Sequence, residues 1–280
     1  MKNKNYVIDI GELQEIVPFF RSRFGTFLGK RLIKWLCVEK INRLYRNSMH
    51  LRGHAFTSSI LRDPLINISY KIHNAEVLNT LPEGAFITVS NHPVGSLDGV
   101  VLIDIFASRR PDFKVMVNGI LSNIEAMEDN FISVTPDSKR QGANLANVNG
   151  IRASLTSLRE GHPMGFFPAG GISCYDKQLK KVRDIPWTRN VIRLIRKANL
   201  PVYPVYFDFY NSRFFYWLGT ISWKIRTFRI PAEVFNKRGQ TLHIYIGEPI
   251  ATETIKQLTS DDELAQFLYN ETYKARSNNV

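Results

Sequence analysis

Residues 85–100 read Ala-Phe-Ile-Thr-Val-Ser-Asn-His-Pro-Val-Gly-Ser-Leu-Asp-Gly-Val, and this stretch constrains the fold of the chain more than any other. Ala85–Val89 is a short apolar run with β-branched residues, the pattern of a buried strand. Pro93, Gly95 and Gly99 break the run, and Val100–Ile103 resumes as an apolar segment that predicts a helix. His92 and Asp98 bracket the break. Six positions on one continuous helix turn through about 600° and rise about 9 Å, which would hold the two side chains apart. They can meet only across a turn. Pro93 favours one, because it pushes His92 into an extended conformation. His92 is therefore placed at a strand end and Asp98 in the first turn of the next helix, where its charge suits the helix dipole.

A histidine backed by a carboxylate is the smallest general-base unit. The imidazole titrates near neutrality, and the carboxylate fixes its tautomer and stabilises its charged form. The same residues also suit a plain turn, with the histidine ending a strand and the aspartate capping a helix. Both readings stay open at this point.

With 280 residues the chain is one large or two small domains, long enough for a sizeable core. Its 44% hydrophobic content and mixed charge describe a globular protein. The net charge of +12 points to an anionic partner: nucleic acid, an anionic membrane surface, or an acidic protein or substrate. Cys37 and Cys174 are the only cysteines, which excludes a disulfide framework and predicts a reducing compartment. The histidines and cysteines are scattered, so no metal site is expected. Asp9 and Glu12 interrupt any apolar segment behind the basic Met1–Asn5, which argues against a signal peptide. No apolar run approaches the roughly 20 residues that span a bilayer, so the chain is expected to lie on a membrane rather than cross it.

Residues 12–50 predict a mostly helical arm, with breaks expected at Pro18, Gly25 and Gly29. Ile16, Phe19, Phe20, Phe24, Phe27, Leu28, Leu32, Trp35 and Leu36 recur largely at spacings of three and four. Basic residues fill the gaps, and no acidic residue falls between Glu15 and Glu39. Such a helix suits an anionic membrane surface, or equally a docked helix with a solvated basic face. The expected division is a helical arm over residues 1–54 and a main domain over 55–280. In the latter, strands are predicted at Ile68–Ile72, Ala85–Val89, Phe113–Val117, Phe131–Val134, Met164–Phe167, Val202–Phe207 and Leu242–Ile246. Helices are predicted at Ala55–Leu61, after Gly99, at 119–130, Gly142–Glu160, Trp187–Ala198, and once or twice within Glu253–Ala275. That alternation describes a mixed α/β sheet flanked by helices. Asn118, at the end of its strand, is expected outside the carboxyl ends of the sheet.

Phe167-Pro168-Ala169-Gly170-Gly171-Ile172-Ser173 repeats the logic of the first turn. A strand ends on adjacent glycines, leaving backbone N–H groups to face an anion or a developing oxyanion, although many glycine turns are purely structural. Further on, Asn211–Arg229 interleaves Phe214, Phe215, Tyr216, Trp217 and Trp223 with Arg213, Lys224, Arg226 and Arg229. The mixture suits a lipid headgroup layer, stacked nucleic-acid bases, or a core cluster with solvated charges.

Together the blocks resemble the lysophospholipid acyltransferase family, the glycerophosphate acyltransferase-like enzymes, over roughly residues 66–250. That family carries a His-x4-Asp motif after a strand and a later Phe-Pro-Glu-Gly-Thr-Arg-Ser block. The chain is most similar to the hemolysin-labelled subgroup, which includes acyltransferases of ornithine and glycine lipids. The similarity lies in Asn91-His92-Pro93 with Gly95 and Asp98-Gly99, Arg110-Pro111-Asp112, and Phe167-Pro168-Ala169-Gly170. It continues through Pro186-Trp187, Asn211-Ser212-Arg213 with Phe215, Asn236-Lys237-Arg238-Gly239 and Ile246-Gly247-Glu248-Pro249. Departures from the wider family are as informative. His92 and Asp98 are six positions apart instead of five, a spacing the subgroup shares. Ala169 and Ile172 stand where the glycerol-phosphate enzymes keep a Glu and an Arg, and Thr135-Pro136 replaces an arginine after the Phe131–Val134 strand.

The resemblance implies transfer of a fatty acyl chain from acyl carrier protein or coenzyme A to the hydroxyl of a lyso-lipid. The acceptor it favours is a lyso amino-acid lipid, with lysophosphatidate as the alternative and no bound cofactor. His92 is then the base and Asp98 its orienting partner. Asn91, Gly95, Asn118, Phe167, Pro168, Gly170, Gly171, Ser173 and Arg213 are the expected substrate-binding residues, Arg213 for a carboxylate head. The expected location is cytoplasmic, on the inner face of the cell membrane. Nucleic acid is not expected, since no recognised nucleic-acid motif is present. A non-catalytic lipid-binding relative remains open on the missing Glu and Arg.

Overall fold

A computed structural model of the protein describes residues 22–118, 121, 124–134 and 143–277. Seven strands form the main sheet: β1 (Ser69–His73), β2 (Ile87–Ser90), β3 (Lys114–Asn118), β4 (Phe131–Val134), β5 (Met164–Phe166), β8 (Val202–Asp208) and β9 (Thr241–Ile246). β6 (Cys174–Asp176) and β7 (Lys181–Arg183) form a separate antiparallel hairpin that the sequence pattern does not signal. The sheet order is β1-β9-β8-β2-β5-β3-β4. β8, β2, β5, β3 and β4 run parallel; β9 is antiparallel to β8, and β1 is parallel to β9. The sheet is thus mixed, as expected, with β2 at its centre.

Strand alternation divides the core into two layers. Phe86 of the segment leading into β2 joins Phe113, Val115, Tyr203, Val205 and Phe207 on one face. Ile87 and Val89 join Met164, Phe166 and Val202 on the other. The first face is covered by α2 (Val38–Ser48), α3 (Gly53–Arg62) and α4 (Ser96–Ala107). The second lies under α6 (Arg189–Ala198) and α11 (Asp261–Ser277), with Leu158 of α5 (Ala143–Arg159) beside them. Leu97, Val101, Leu102, Ile103, Ile105 and Phe106 of α4 are all buried, so the helix that follows the central turn is fixed in the core along its length.

Several local expectations change. α1 (Arg23–Trp35) runs through Gly25 and Gly29, and the break falls at Cys37, whose φ of 58° is left-handed. Ile16, Pro18, Phe19 and Phe20 lie outside the described residues. Leu44 and Tyr45 of α2 share the main core with the sheet, so packing does not break at residue 54. The described part of 119–130 contains a 3-10 turn at Glu125–Asn130, where an α-helix was expected. That short acidic stretch buries only Ala126, Met127 and Asn130, too narrow a face to sustain a longer helix. The aromatic segment folds as α7 (Arg213–Ile221), α8 (Trp223–Phe228) and α9 (Ile230–Phe235), and α10 (Thr252–Gln257) precedes the last helix.

Candidate active site

The site lies beyond the carboxyl end of the central strand, where ligands bind in open α/β sheets. β2 ends at Ser90 and α4 begins at Ser96, leaving a five-residue turn that carries His92. Asp98, in the first turn of α4, is fully buried. Its Oδ2 accepts hydrogen bonds from the Val94 and Gly95 N–H groups, each at 2.9 Å. The same oxygen lies 3.0 Å from His92 Nδ1 but stands off the N–H direction of the ring, and Asp98 Oδ1 accepts from no group among the described residues. Nδ1 is buried and the side chain is 19% exposed, so the accessible edge of the ring is the one bearing Nε2. The Phe167 ring packs on the imidazole with centroids 4.3 Å apart.

The two glycine turns meet. Gly95 has φ 101°, and a Cβ there would come within 2.8 Å of Ile172 Cδ1, so only glycine suits both the backbone and the contact. Beside it, the Ser173 N–H donates to the His92 carbonyl at 2.8 Å. Asp184 closes the other side: its Oδ1 accepts from the His92 N–H at 3.1 Å and from the Ser173 hydroxyl at 2.5 Å, and its Oδ2 from the Trp187 indole at 3.2 Å. Burial pushes the Asp184 carboxyl above its ordinary range, opposed by those donors.

A second buried group supports the turn from below. Asn211 Nδ2 donates to the carbonyls of Pro93 and Val94 at 3.3 and 3.4 Å. Its Oδ1 accepts from the buried Lys237 ammonium at 3.1 Å. Glu233, also fully buried, accepts from the Ser212 N–H and hydroxyl at the start of α7.

The remaining expected residues separate into groups. Asn91 is buried and its carboxamide exchanges two hydrogen bonds with the Phe207 backbone, so it ties β2 to β8. Ser173 is likewise buried and engaged with Asp184. The Pro168 carbonyl accepts from the Thr188 N–H and hydroxyl. The Gly170 N–H closes the turn on the Phe167 carbonyl, whereas the Gly171 N–H meets no acceptor among the described residues. Asn118 is exposed at the end of β3, two strands from β2. Arg213 is exposed at the first position of α7, two residues beyond Asn211. Asp184, Glu233 and the role of Lys237 were not legible. Their only trace in the sequence is that Lys237 falls in one of the family blocks.

Next to this turn lies an aromatic face. Phe27 and Trp35 of α1, Phe214 and Trp217 of α7, and Trp223 and Phe228 of α8 are exposed. Trp35 meets Phe214 edge to face at 6.4 Å, and Arg229 lies over both rings while donating to the Trp35 carbonyl. No acidic residue interrupts the chain between Asp208 and Glu233. Among the described residues no helix is long and apolar enough to cross a membrane, and no cluster of three or more His, Cys, Asp or Glu side chains could hold a metal ion.

A mixed sheet carrying a histidine–carboxylate turn beyond its carboxyl edge suits general-base transfer of an acyl group to a hydroxyl. The chain belongs to the acyltransferase family, whose model matches residues 12–279. It is 29% identical to the lyso-glycine lipid O-acyltransferase of Bacteroides thetaiotaomicron over 278 residues, covering 96% of this chain and 97% of that protein. It is 28% identical to the lyso-glycine lipid O-acyltransferase of Phocaeicola vulgatus, covering 70% and 71% of the two chains. The fold is that of the 1-acyl-sn-glycerophosphate acyltransferase PlsC from Thermotoga maritima, with a TM-score of 0.52 at 14% identity over 90% of this chain and 88% of that one.

Proposed function

We propose that the protein O-acylates a lyso amino-acid lipid, with His92 as general base. The observation that carries this reading is the imidazole of His92, seated on a buried carboxylate at one edge and open at the other. The acceptor hydroxyl gives its proton to His92 Nε2 as its oxygen attacks the thioester carbonyl. Asp98 orients the ring and stabilises the imidazolium that forms. The tetrahedral intermediate then collapses with C–S cleavage, and the imidazolium returns the proton to the departing thiolate. No covalent enzyme intermediate is needed. The unengaged Gly171 N–H is the donor best suited to the oxyanion. Acyl carrier protein or coenzyme A carries the acyl chain in this scheme.

Acceptor choice follows from what is missing. Ala169 and Ile172 offer no charge beside the turn, so a phosphate dianion brought there loses hydration without gaining charged partners, a cost of several kcal/mol. A carboxylate head reaches Arg213 instead, at the start of the helix that Asn211 joins to the turn. The names of the relatives, both lyso-glycine lipid O-acyltransferases, support this choice. The aromatic, basic face formed by α1, α7 and α8 suits the headgroup layer of an anionic membrane, here the inner face of the cell membrane, and brings the turn to its lipid substrates.

The test is a side-by-side assay of the purified protein with one acyl thioester and two acceptors. Lyso-glycine lipid is expected to be acylated in preference to lysophosphatidate, and Arg213→Ala to raise KM for the acceptor more than for the donor. Lysophosphatidate as the better acceptor overturns the acceptor assignment. Vesicle binding is expected to weaken with added salt and on deletion of residues 1–40.

A further inference from the structure

Lys237 is the one lysine or arginine among the described residues that is fully withdrawn from solvent, at 3% exposure. Both hydrogen-bond acceptors of its ammonium are neutral: Asn211 Oδ1 at 3.1 Å and the Glu233 carbonyl at 3.3 Å. A cation buried among neutral oxygens is costly unless nearby negative charge offsets the lost hydration. Two buried carboxylates supply that charge, Glu233 and Asp98. Glu233 already holds the Ser212 N–H and hydroxyl and the Asn236 amide. Asp98 is different: one of its oxygens accepts from no group among the described residues. Glu233 is the larger of the two influences on Lys237, and Asn211 carries the contact of its ammonium on to the catalytic turn. Asp98 grips the turn through the Val94 and Gly95 N–H groups, while Asn211 grips the Pro93 and Val94 carbonyls.

We propose that Lys237 is a positioning residue of the transfer reaction: its buried ammonium, acting through Asn211, fixes the carbonyl side of the His92 turn. The inference rests on the reading of His92 and Asp98 as the base pair. Burial draws the Lys237 ammonium below its ordinary range, while the charges of Glu233 and Asp98 hold it up. Asp184 lies behind the His92 backbone, Tyr216 of α7 lies within reach of the Asp98, Tyr210 and Glu233 charges, and the Arg226 guanidinium on α8 approaches the Ile172 carbonyl. None of them is a buried cation. Without the ammonium, Asn211 Oδ1 loses its donor, and the amide that holds the Pro93 and Val94 carbonyls is no longer fixed.

The experiment compares kcat and KM of wild type, Lys237→Met, Asn211→Leu and the double variant, using an acyl thioester and lyso-glycine lipid. Each single variant is expected to lose roughly tenfold in kcat with both KM values within about twofold of wild type. The double variant is expected to lose no more than the larger single loss, because the two residues act through one contact. A folded Lys237→Met enzyme with wild-type kcat, or a double variant whose losses multiply, overturns the inference and leaves the His92 mechanism standing. Loss of the His92 mechanism itself would show instead as a His92→Ala enzyme that still turns over. A measurement on the wild-type protein keeps the question open to test even if the variants do not fold. Nitrogen NMR of labelled lysine must show the Lys237 Nζ as an ammonium at pH 7, and a neutral amine there overturns the proposal.

Discussion

Two histidine–aspartate pairs stand at opposite edges of the same three strands with nearly the same separation, although only the second is aligned as a hydrogen bond. His92 Nδ1 lies 3.0 Å from Asp98 Oδ2, and His162 Nδ1 lies 2.9 Å from Asp112 Oδ2. The first pair is beyond the carboxyl end of β2. The second is at the amino ends: Asp112 precedes β3 and His162 precedes β5. Arg110 completes the second group. It grips both oxygens of Asp112 and donates to the carbonyls of Pro82, Gly84 and Gly161, binding together the segments that enter β2, β3 and β5. Burial raises the Asp112 carboxyl, but Arg110 and His162 outweigh it and hold the group below the usual carboxylate range. At the other edge, Asp98 is buried without an arginine and keeps one oxygen unpartnered among the described residues. A short His–Asp distance therefore does not define chemistry. Its place relative to strand polarity, and what remains unsatisfied around it, do.

The contrast can be broken at either end. After loss of His92, the largest effect is expected at Asp98→Asn, where a neutral amide still orients the ring but no longer stabilises the imidazolium. Its kcat/KM should fall by about tenfold, less than for loss of His92, with melting little changed. Arg110→Ala should do the reverse. It leaves three strand-entry carbonyls without their donor, which lowers unfolding free energy by about 2 kcal/mol in urea titrations while kcat stays near wild type. Gly95→Ala sits between the two: the positive φ costs about 1–2 kcal/mol and the methyl pushes on Ile172, so turnover should drop more than stability does.

The smallest effect concerns pH. A carboxyl depressed in the folded state contributes stability above its unfolded pKa, and that contribution disappears as the pH falls through the folded pKa. Asp112→Asn should therefore lose under about 1 kcal/mol at neutral pH and show a flatter decline on acidification than wild type. An unchanged acid limb would remove Asp112 from the stability account.

The local features were legible because they are local. The turn at Pro93 and Gly95, the placement of Asp98 in the first turn of a helix, and the alternating strands each depend on residues a few positions apart. The supports of the turn were not legible, because they come from far along the chain. Asp184 reaches His92 across 92 positions, and Asn211 reaches Val94 across 117. Asn91 and Ser173 were expected to face a substrate, since polar residues beside glycine turns often do. Burial instead commits both to holding neighbouring backbone in place. The hairpin of β6 and β7 escaped notice because its strands are three residues each, too short for alternation to register.

The most direct test of the central claim is a paired measurement on the two histidines. His92→Ala and His162→Ala, each shown to be folded by circular dichroism and thermal melting, are assayed with the same acyl thioester and lyso-glycine lipid. The account predicts that His92→Ala loses about two orders of magnitude or more in turnover, while His162→Ala stays within about twofold of wild type. A folded His92→Ala enzyme with near-normal turnover, or equal losses in the two variants, would contradict it.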